Sequence, residues 1–473
     1  MDPSLQRFAF RYREPIADPR AQLPDGTATP ERVDALKTAG KERRAGAPRS
    51  AHAGWEPPKS RTDPLSLLEA QNKHRLPQLV PLRWARLAAS PFAFLRGAAV
   101  VMAEDLAGTP NSGITVQACG DAHLANYGVF ASPERDLLFD VNDFDETMPG
   151  PWEWDVKRLA ASAVVAGRDA GLNDATSQGL AQTAIAAYHD AARYFATLNA
   201  LDTWYSKVDE ASMVLLRPGR SRQDIAKLFS KARAKTSATA FPSLVELTRA
   251  GDWRIVDHPP VVSHDGIADR TDDLLRLYAT YRDSVSDDRR RLLERFDVRD
   301  FALKVVGVGS VGTRCFVALL ESDVGEPLFL QVKEADASAL APYLPPTEHE
   351  SQGRRVVAGQ RIMQADSDIF LGWAQAAGDD YYVRQLRDQK GSADFTAMRP
   401  GTLRDYLDLC GWTLARAHAR NGAAAAIAGY LGKAPTFVDA VTKFAVGYAD
   451  QTRRDHAALV DAIRQGRIQA AKG

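Results

Sequence analysis

The sequence predicts an α+β fold built as more than one lobe. Three observations carry that expectation. The 473 residues exceed what one ordinary hydrophobic core serves. Residues 152–205 and 267–296 carry helical periodicity and composition. From Phe301 the texture changes to short alternating runs joined by tight turns, the pattern of a meander of β-hairpins. Composition is that of a folded chain, 45% hydrophobic and 25% charged. Sixty Lys and Arg balance sixty Asp and Glu, so bulk charge gives no pull towards nucleic acid or an anionic membrane. Cys119, Cys315 and Cys410 are odd in number and far apart, which fits a reducing compartment and neither a disulfide framework nor a zinc cluster. No apolar signal core occupies 1–22, and the most apolar stretch, 84–106, is broken by Arg86, Arg96, Glu104 and Asp105. A cytoplasmic protein without a membrane span is expected.

Residues 1–62 are rich in Pro, Arg, Asp and Gly and read as an extended or partly disordered arm. Residues 63–107 read as a helical extension, with Ser90-Pro91 opening one helix, because proline's missing N–H is harmless in a first turn. Strands are expected at 113–118 and 137–141, with the turn Ser132-Pro133-Glu134-Arg135 between them. Together with the helices at 152–205 and 267–296, these make a unit spanning 108–300. A second, β-rich unit spans 301–390, with strands at 301–306, 315–320, 327–333, 369–376 and 381–386 and a helix at 350–364. Thr402-Leu403-Arg404-Asp405 has the form of a capping box and opens a helix within the final unit, 391–473. The apolar stripe of that helix is Leu403, Leu407, Cys410, Leu414 and Ala417.

Two polar clusters flank the early strands. Gly120-Asp121-Ala122-His123-Leu124-Ala125-Asn126 follows the first, and Asp140-Val141-Asn142-Asp143-Phe144-Asp145 ends the second. A loop carboxylate can orient or deprotonate an attacking hydroxyl. An amide oxygen and a second carboxylate can ligate Mg²⁺, which prefers one or two carboxylates plus substrate phosphates to a full protein cage. Phosphoryl transfer needs these parts and little more, since its catalysis is positioning and charge neutralisation. The first cluster resembles the catalytic loop of aminoglycoside phosphotransferases and choline kinases, with the same step of five from Asp121 to Asn126. Asp143-Phe144 resembles the metal-binding Asp that follows in those enzymes, and Asp155 falls where they place a structural Asp at a helix start. Cys119 departs from the family's usual His. The resemblance implies Asp121 as base or hydroxyl-orienting group and Asn126 and Asp143 as metal ligands. Asp140 and Asp145 are reserves for the metal, and His123 is a phosphate contact or a buttress.

Gly307-x-Gly309-Ser310-x-Gly312 has the spacing of a dinucleotide fingerprint, but a strand, turn and strand follow it instead of a helix. The residue about twenty positions on is Lys333, where that fingerprint needs an acid. A glycine hairpin followed by a strand-borne Lys is the kinase arrangement, with backbone over the nucleotide phosphates and Lys paired to them. Glu350 is the expected partner of Lys333, with Glu348 and Glu334 as alternatives, and Gln385 to Arg387 would edge an adenine pocket. Kinases place these parts before the catalytic loop; here they come after it. The resemblance therefore implies a protein kinase-like two-lobe fold that is circularly permuted, cut between the helix at 402–420 and the catalytic loop, and preceded by an extension. ATP and Mg²⁺ (or Mn²⁺) are the implied cofactors, and the partners are a nucleotide and an acceptor. Nucleotidyl transfer, a non-catalytic ATP-binding regulator and a metal-dependent phosphohydrolase are the rival readings.

The whole chain also resembles a bacterial family of unknown function. Its marks are Ser90 to Gly97 (SPFAFLRG), the Gly120 loop, Asn142 to Thr147 (NDFDET) and Pro149 to Asp155 (PGPWEWD). Arg96 within the first mark has two readings, a phosphate contact or one half of a buried structural pair.

Overall fold

Polar anchors, not an apolar stripe, fix the first described segment. A computed structural model describes residues 30–216, 227, 229–386, 389–392, 395 and 398–471; the rest of the expected arm, 1–29, and Arg387 lie outside the described residues. Residues 30–62 differ from the extended arm that their composition suggests. They form helix α1 (Pro30–Glu42) and single turns at Arg43–Ala45 and Arg49–Ala53. Arg44 donates to the carbonyls of Tyr430 and Gly429 at 2.8 and 2.6 Å. Arg61 bridges Asp105 and Asp455, each at 2.7 Å. Those partners lie up to 394 residues away, so no local window of sequence reveals them.

The extension follows as α2 (Pro64–Asn72), α3 (Val80–Ala88), α4 (Pro91–Gly97) and α5 (Ala99–Ala107). Ser90 caps α4 as expected, its Oγ accepting from Ala93 N at 3.1 Å. Four short strands carry the polar clusters: β1 (Thr115–Ala118), β2 (Tyr127–Ala131), β3 (Leu137–Val141) and β4 (Met148–Pro151). β1 pairs with β4 and β2 with β3, both antiparallel. Helices α6 (Trp152–Asp169) and α7 (Asp174–Phe195) come next, and further on a small antiparallel pair, β5 (Val245–Leu247) and β6 (Trp253–Ile255).

The second body is a six-stranded antiparallel sheet, ordered β11-β12-β10-β9-β8-β7. Its strands are β7 (Val262–Ser263), β8 (Phe296–Lys304), β9 (Cys315–Ser322), β10 (Pro327–Glu334), β11 (Gly372–Ala376) and β12 (Asp379–Gln385). β8 begins five residues before the expected Phe301, where the alternation is masked by charged outward positions. Alternation sorts β10 as a strand must: Leu328, Leu330 and Val332 pack under helix α8 (Thr271–Ser284), while Phe329 meets Val245 and Ile255 on the opposite face. Helix α9 (Gln352–Met363) sits between the sheet and the helical body, sending Val356, Val357 and Met363 into the large core.

The chain then returns to the first body as α10 (Pro400–Ala419), α11 (Ala424–Leu431) and α12 (Thr436–Arg464). α10 starts at Pro400 rather than at Thr402, since proline suits the first helical position and displaces the capping-box reading. Its expected stripe, Leu403, Leu407, Cys410, Leu414 and Ala417, is buried throughout. α1 crosses α11 with backbone against backbone at Gly40 and Gly429, a spacing that a side chain at either position would forbid. Among the described residues no helix is long and apolar enough to cross a membrane.

His52 reports on the packing of the first segment. Its Nε2 lies 2.7 Å from the Tyr430 hydroxyl, and its Nδ1 has no partner. Burial, then the nearby Lys157, lowers its pKa from 6.5 to about 3. The folded state thus binds fewer protons than the unfolded state between those values. Stability from this group is complete above about 6.5 and drains as pH falls towards 3. Urea unfolding from pH 7.5 to 4 should show a steeper loss of stability for the native protein than for His52→Gln. Parallel curves would refute the burial of a neutral imidazole.

Candidate active site

The loop from Gly120 to Asn126 is held from behind. β1 ends at Ala118, and the chain turns at Gly120 with φ +81°. A Cβ there would lie 2.3 Å from Glu146 O, so only glycine lets the two polar loops touch. Asp155, in the first turn of α6, accepts from Cys119 N at 2.6 Å and Gly120 N at 2.9 Å. His418 on α10 reaches the same carboxylate at 3.1 Å and is itself braced by the Tyr188 hydroxyl at 2.8 Å. Burial, then the neighbouring Asp155 charge, pushes the Cys119 thiol well above its ordinary range, so it stays a thiol.

Asp121 faces the cleft, and Arg158 clamps its Oδ1 from Nε at 2.8 Å and Nη2 at 2.6 Å. Arg158 also donates to Leu95 O at 2.7 Å, tying the loop to α4. This arginine was not among the expected site residues, although a signal was present. It stands three positions after Asp155 on α6, hence on the same helix face. His123 Nε2 is 3.6 Å from Asp121 Oδ2, beyond a hydrogen bond. Burial lowers the His123 pKa to about 4; Arg96 and Arg158 add to that against the pull of Asp121. His123 is therefore a neutral buttress at pH 7. Asn126 donates from Nδ2 to Asp121 O and to Asp143 O, each at 3.0 Å. That double donation ties the two loops together.

The three aspartates of the second cluster have separate jobs. Asp140 is fully enclosed: Arg416 Nη2 contacts both its oxygens at 2.7 Å, and Ala365 N donates at 2.8 Å. It anchors α10 to β3 and is no reserve metal ligand. Asp145 takes Lys333 Nζ at 2.7 Å, the Tyr382 hydroxyl at 2.7 Å and Ser310 Oγ at 3.2 Å. Against the cost of burial, Lys333 and Tyr382 hold its pKa down to about 2. Asp143 lies 3.4 Å from Lys333 and keeps 44% of its side chain open. Partial loss of hydration within the cleft, then the Asp145 charge, raises its pKa.

Lys333 comes from the third strand of the sheet's hairpin series and is 2% exposed. Burial opposes its charge, but Asp143 and Asp145 hold its pKa well above the ordinary lysine value. Its expected partner, Glu350, is exposed just before α9, and Glu334 is taken by Arg314. The residue α9 sends towards the site is Arg355, which donates to the carbonyls of Asp145, Asp336 and Thr147. Sequence spacing cannot choose among carboxylates, and two from the facing body reach the lysine first.

The glycine hairpin joins β8 to β9 and lies over this cleft, with Gly307 and Gly312 at φ +62° and +91°. It is pinned from outside. Leu76 N donates to Gly312 O at 2.8 Å, Arg75 to Val311 O at 2.5 Å and Arg86 to Gly307 O at 2.5 Å. Gly307, Gly309 and Ser310 line a cavity of about 160 Å³ together with Asp121, His123, Asn126, Asp143 and Asp145. Arg96 enters the same cavity and forms no structural pair: its guanidinium makes no hydrogen bond or ion pair with any described residue. Its contact is the Phe92 ring, 5.9 Å from centroid to Cζ. The cavity is smaller than the roughly 300–1,000 Å³ of a whole-ligand pocket.

Among the described residues no three His, Cys, Asp or Glu side chains are arranged to cage a metal. Two oxygen-bearing side chains do line the cavity, the Asn126 amide and the open Asp143 carboxylate. Hard oxygen donors in that number fit Mg²⁺ completed by phosphate oxygens and water.

Fold and site together define a class: an α+β protein in which two acidic loops of a helical body face a buried, sheet-borne lysine under a glycine hairpin. Residues 75–462 match the DUF2252 model, described as an uncharacterized protein conserved in bacteria, and the chain belongs to that family. No curated protein and no solved structure matches it.

Proposed function

We propose that this protein is a kinase-like phosphotransferase that uses ATP and Mg²⁺ (or Mn²⁺) to phosphorylate a hydroxyl on a small molecule or a protein. One observation carries the reading. Lys333 stands 2.7 Å from Asp145 and 3.4 Å from Asp143, although 188 and 190 residues separate them. A glycine hairpin, a lysine on the third strand and a metal-type carboxylate are the parts that kinases bring together.

The chain order supports a circular permutation of that fold. Asn421, just past α10, accepts from Gln117 N in β1 at 3.1 Å, so the helix that should lead into the catalytic loop ends beside the strand that does. In this reading Asn126 and Asp143 would hold the ion, which supplies charge neutralisation on the phosphates. The backbone of residues 307–312 covers the phosphates. Asp121, held by Arg158, orients the acceptor hydroxyl and takes its proton.

Thermal unfolding with ATP and Mg²⁺ tests the site. At about 100 times its dissociation constant, a ligand stabilises the native state by roughly 2.7 kcal/mol. The shift should require the ion and vanish in Asp143→Ala. A well-folded native protein that no nucleotide stabilises would end the proposal. Product mass then separates phosphoryl from nucleotidyl transfer.

A further inference from the structure

The cations around this cleft are unequally employed. Lys333 is engaged by Asp145 and Asp143. Arg158 is engaged by Asp121 and Leu95 O, and Arg75 donates to Val311 O. Arg355 donates to three carbonyls. Arg96 lines the same cavity with no hydrogen bond or ion pair from any described residue, and its Nε is shut away from solvent. That Nε forgoes hydration with no hydrogen bond in return, which carries a cost. Its charge is felt by Asp121, Asp143 and His123. Its backbone lies beside the glycine hairpin: a Cβ built on Gly309 would sit 3.6 Å from Arg96 O, ordinary van der Waals contact.

We infer that Arg96 is a catalytic residue, an arginine supplied in cis by the helical extension to bind the phosphoryl group while it is being transferred. The inference rests on the phosphotransferase reading and goes beyond it. It gives the extension a chemical task. In the step, the bond from the γ-phosphorus to the ADP oxygen breaks and a bond to the acceptor oxygen forms. The acceptor proton passes to Asp121, and ADP leaves with the bond's electron pair. Negative charge spreads over the three equatorial oxygens in transit. A planar guanidinium with five N–H donors suits that geometry better than an ammonium.

The test uses the full chain and a mimic of the transferring group. Thermal unfolding is measured with Mg²⁺ and ADP, then with Mg²⁺, ADP and aluminium fluoride, for the native protein, Arg96→Ala and Arg96→Lys. Native protein should gain a further upward shift from aluminium fluoride. Arg96→Ala should keep the ADP shift and lose the further one, and Arg96→Lys should recover part of it. Phosphoryl transfer from ATP to water should fall by about 10³-fold in Arg96→Ala, the low end for such arginines. Because Arg96 has no hydrogen-bond or ion-pair partner among the described residues, its removal orphans no polar group there and gives up only the Phe92 ring contact, and the ADP shift doubles as a check on folding. An unchanged aluminium fluoride shift in Arg96→Ala overturns the inference and leaves the phosphotransferase standing. Native protein that responds to no nucleotide overturns both.

Discussion

Lys333→Met should abolish the stabilisation of this protein by Mg²⁺ and ATP and weaken the ligand-free fold. The two effects have different origins. Ligand stabilisation, roughly 2.7 kcal/mol at 100 times the dissociation constant, is lost because the buried ammonium that would pair with the phosphates is gone. The fold weakens because Asp145 and Asp143 lose their shared counter-charge. Removing one member of a buried ion pair costs about 3–5 kcal/mol. Asp145 and Asp143 keep 30% and 44% of their side chains open, which places the loss at the low end of that range. Methionine preserves the volume against Tyr382, whose ring lies 5.2 Å from Lys333 Nζ, so a packing void does not contribute. Urea titrations with and without Mg²⁺ and ATP read both effects. A variant that still gains stability from ATP would separate the sheet from the aspartates and sink the nucleotide site.

Asp121→Asn should leave nucleotide binding intact and lower turnover by about 10²–10⁴-fold, the usual contribution of a positioned general base. Asparagine keeps an oxygen for Arg158, which already holds Leu95 O, so the loop stays anchored. The affected step is the removal of the acceptor proton. Steady-state release of ADP, beside the thermal shift in Mg²⁺ and ATP, gives the two numbers. Turnover at the native rate would remove Asp121 from the chemistry and return it to a structural tie.

The local part of this site was legible because it is written in spacing. The step from Asp121 to Asn126, the acids after β3 and the alternation of β10 are short-range patterns, and each lies where its spacing indicated. Pairings across the chain were not legible. Asp140, Asp143 and Asp145 look alike in sequence, and Arg416 and Lys333 tell them apart from 276 and 188 residues away. Glu350 was the nearest acid to a helix start, yet the facing body supplies the lysine's partners. Residues 30–62 read as an arm because their anchors are arginines on distant carbonyls and carboxylates. Hydrophobic periodicity carries no trace of such bonds.

The long reach between Lys333 and Asp143 also sets a clock for the protein's birth. A ribosome adding about 5–20 residues per second takes roughly 10–40 s to travel the 190 residues between them. Throughout that interval the acids are translated and their counter-ion is not. His418, which steadies Asp155 behind the Gly120 loop, trails that aspartate by 263 residues. The nascent chain therefore carries Asp143 and Asp145 without their counter-ion until β10 is made, and the brace behind the Gly120 loop comes only with α10.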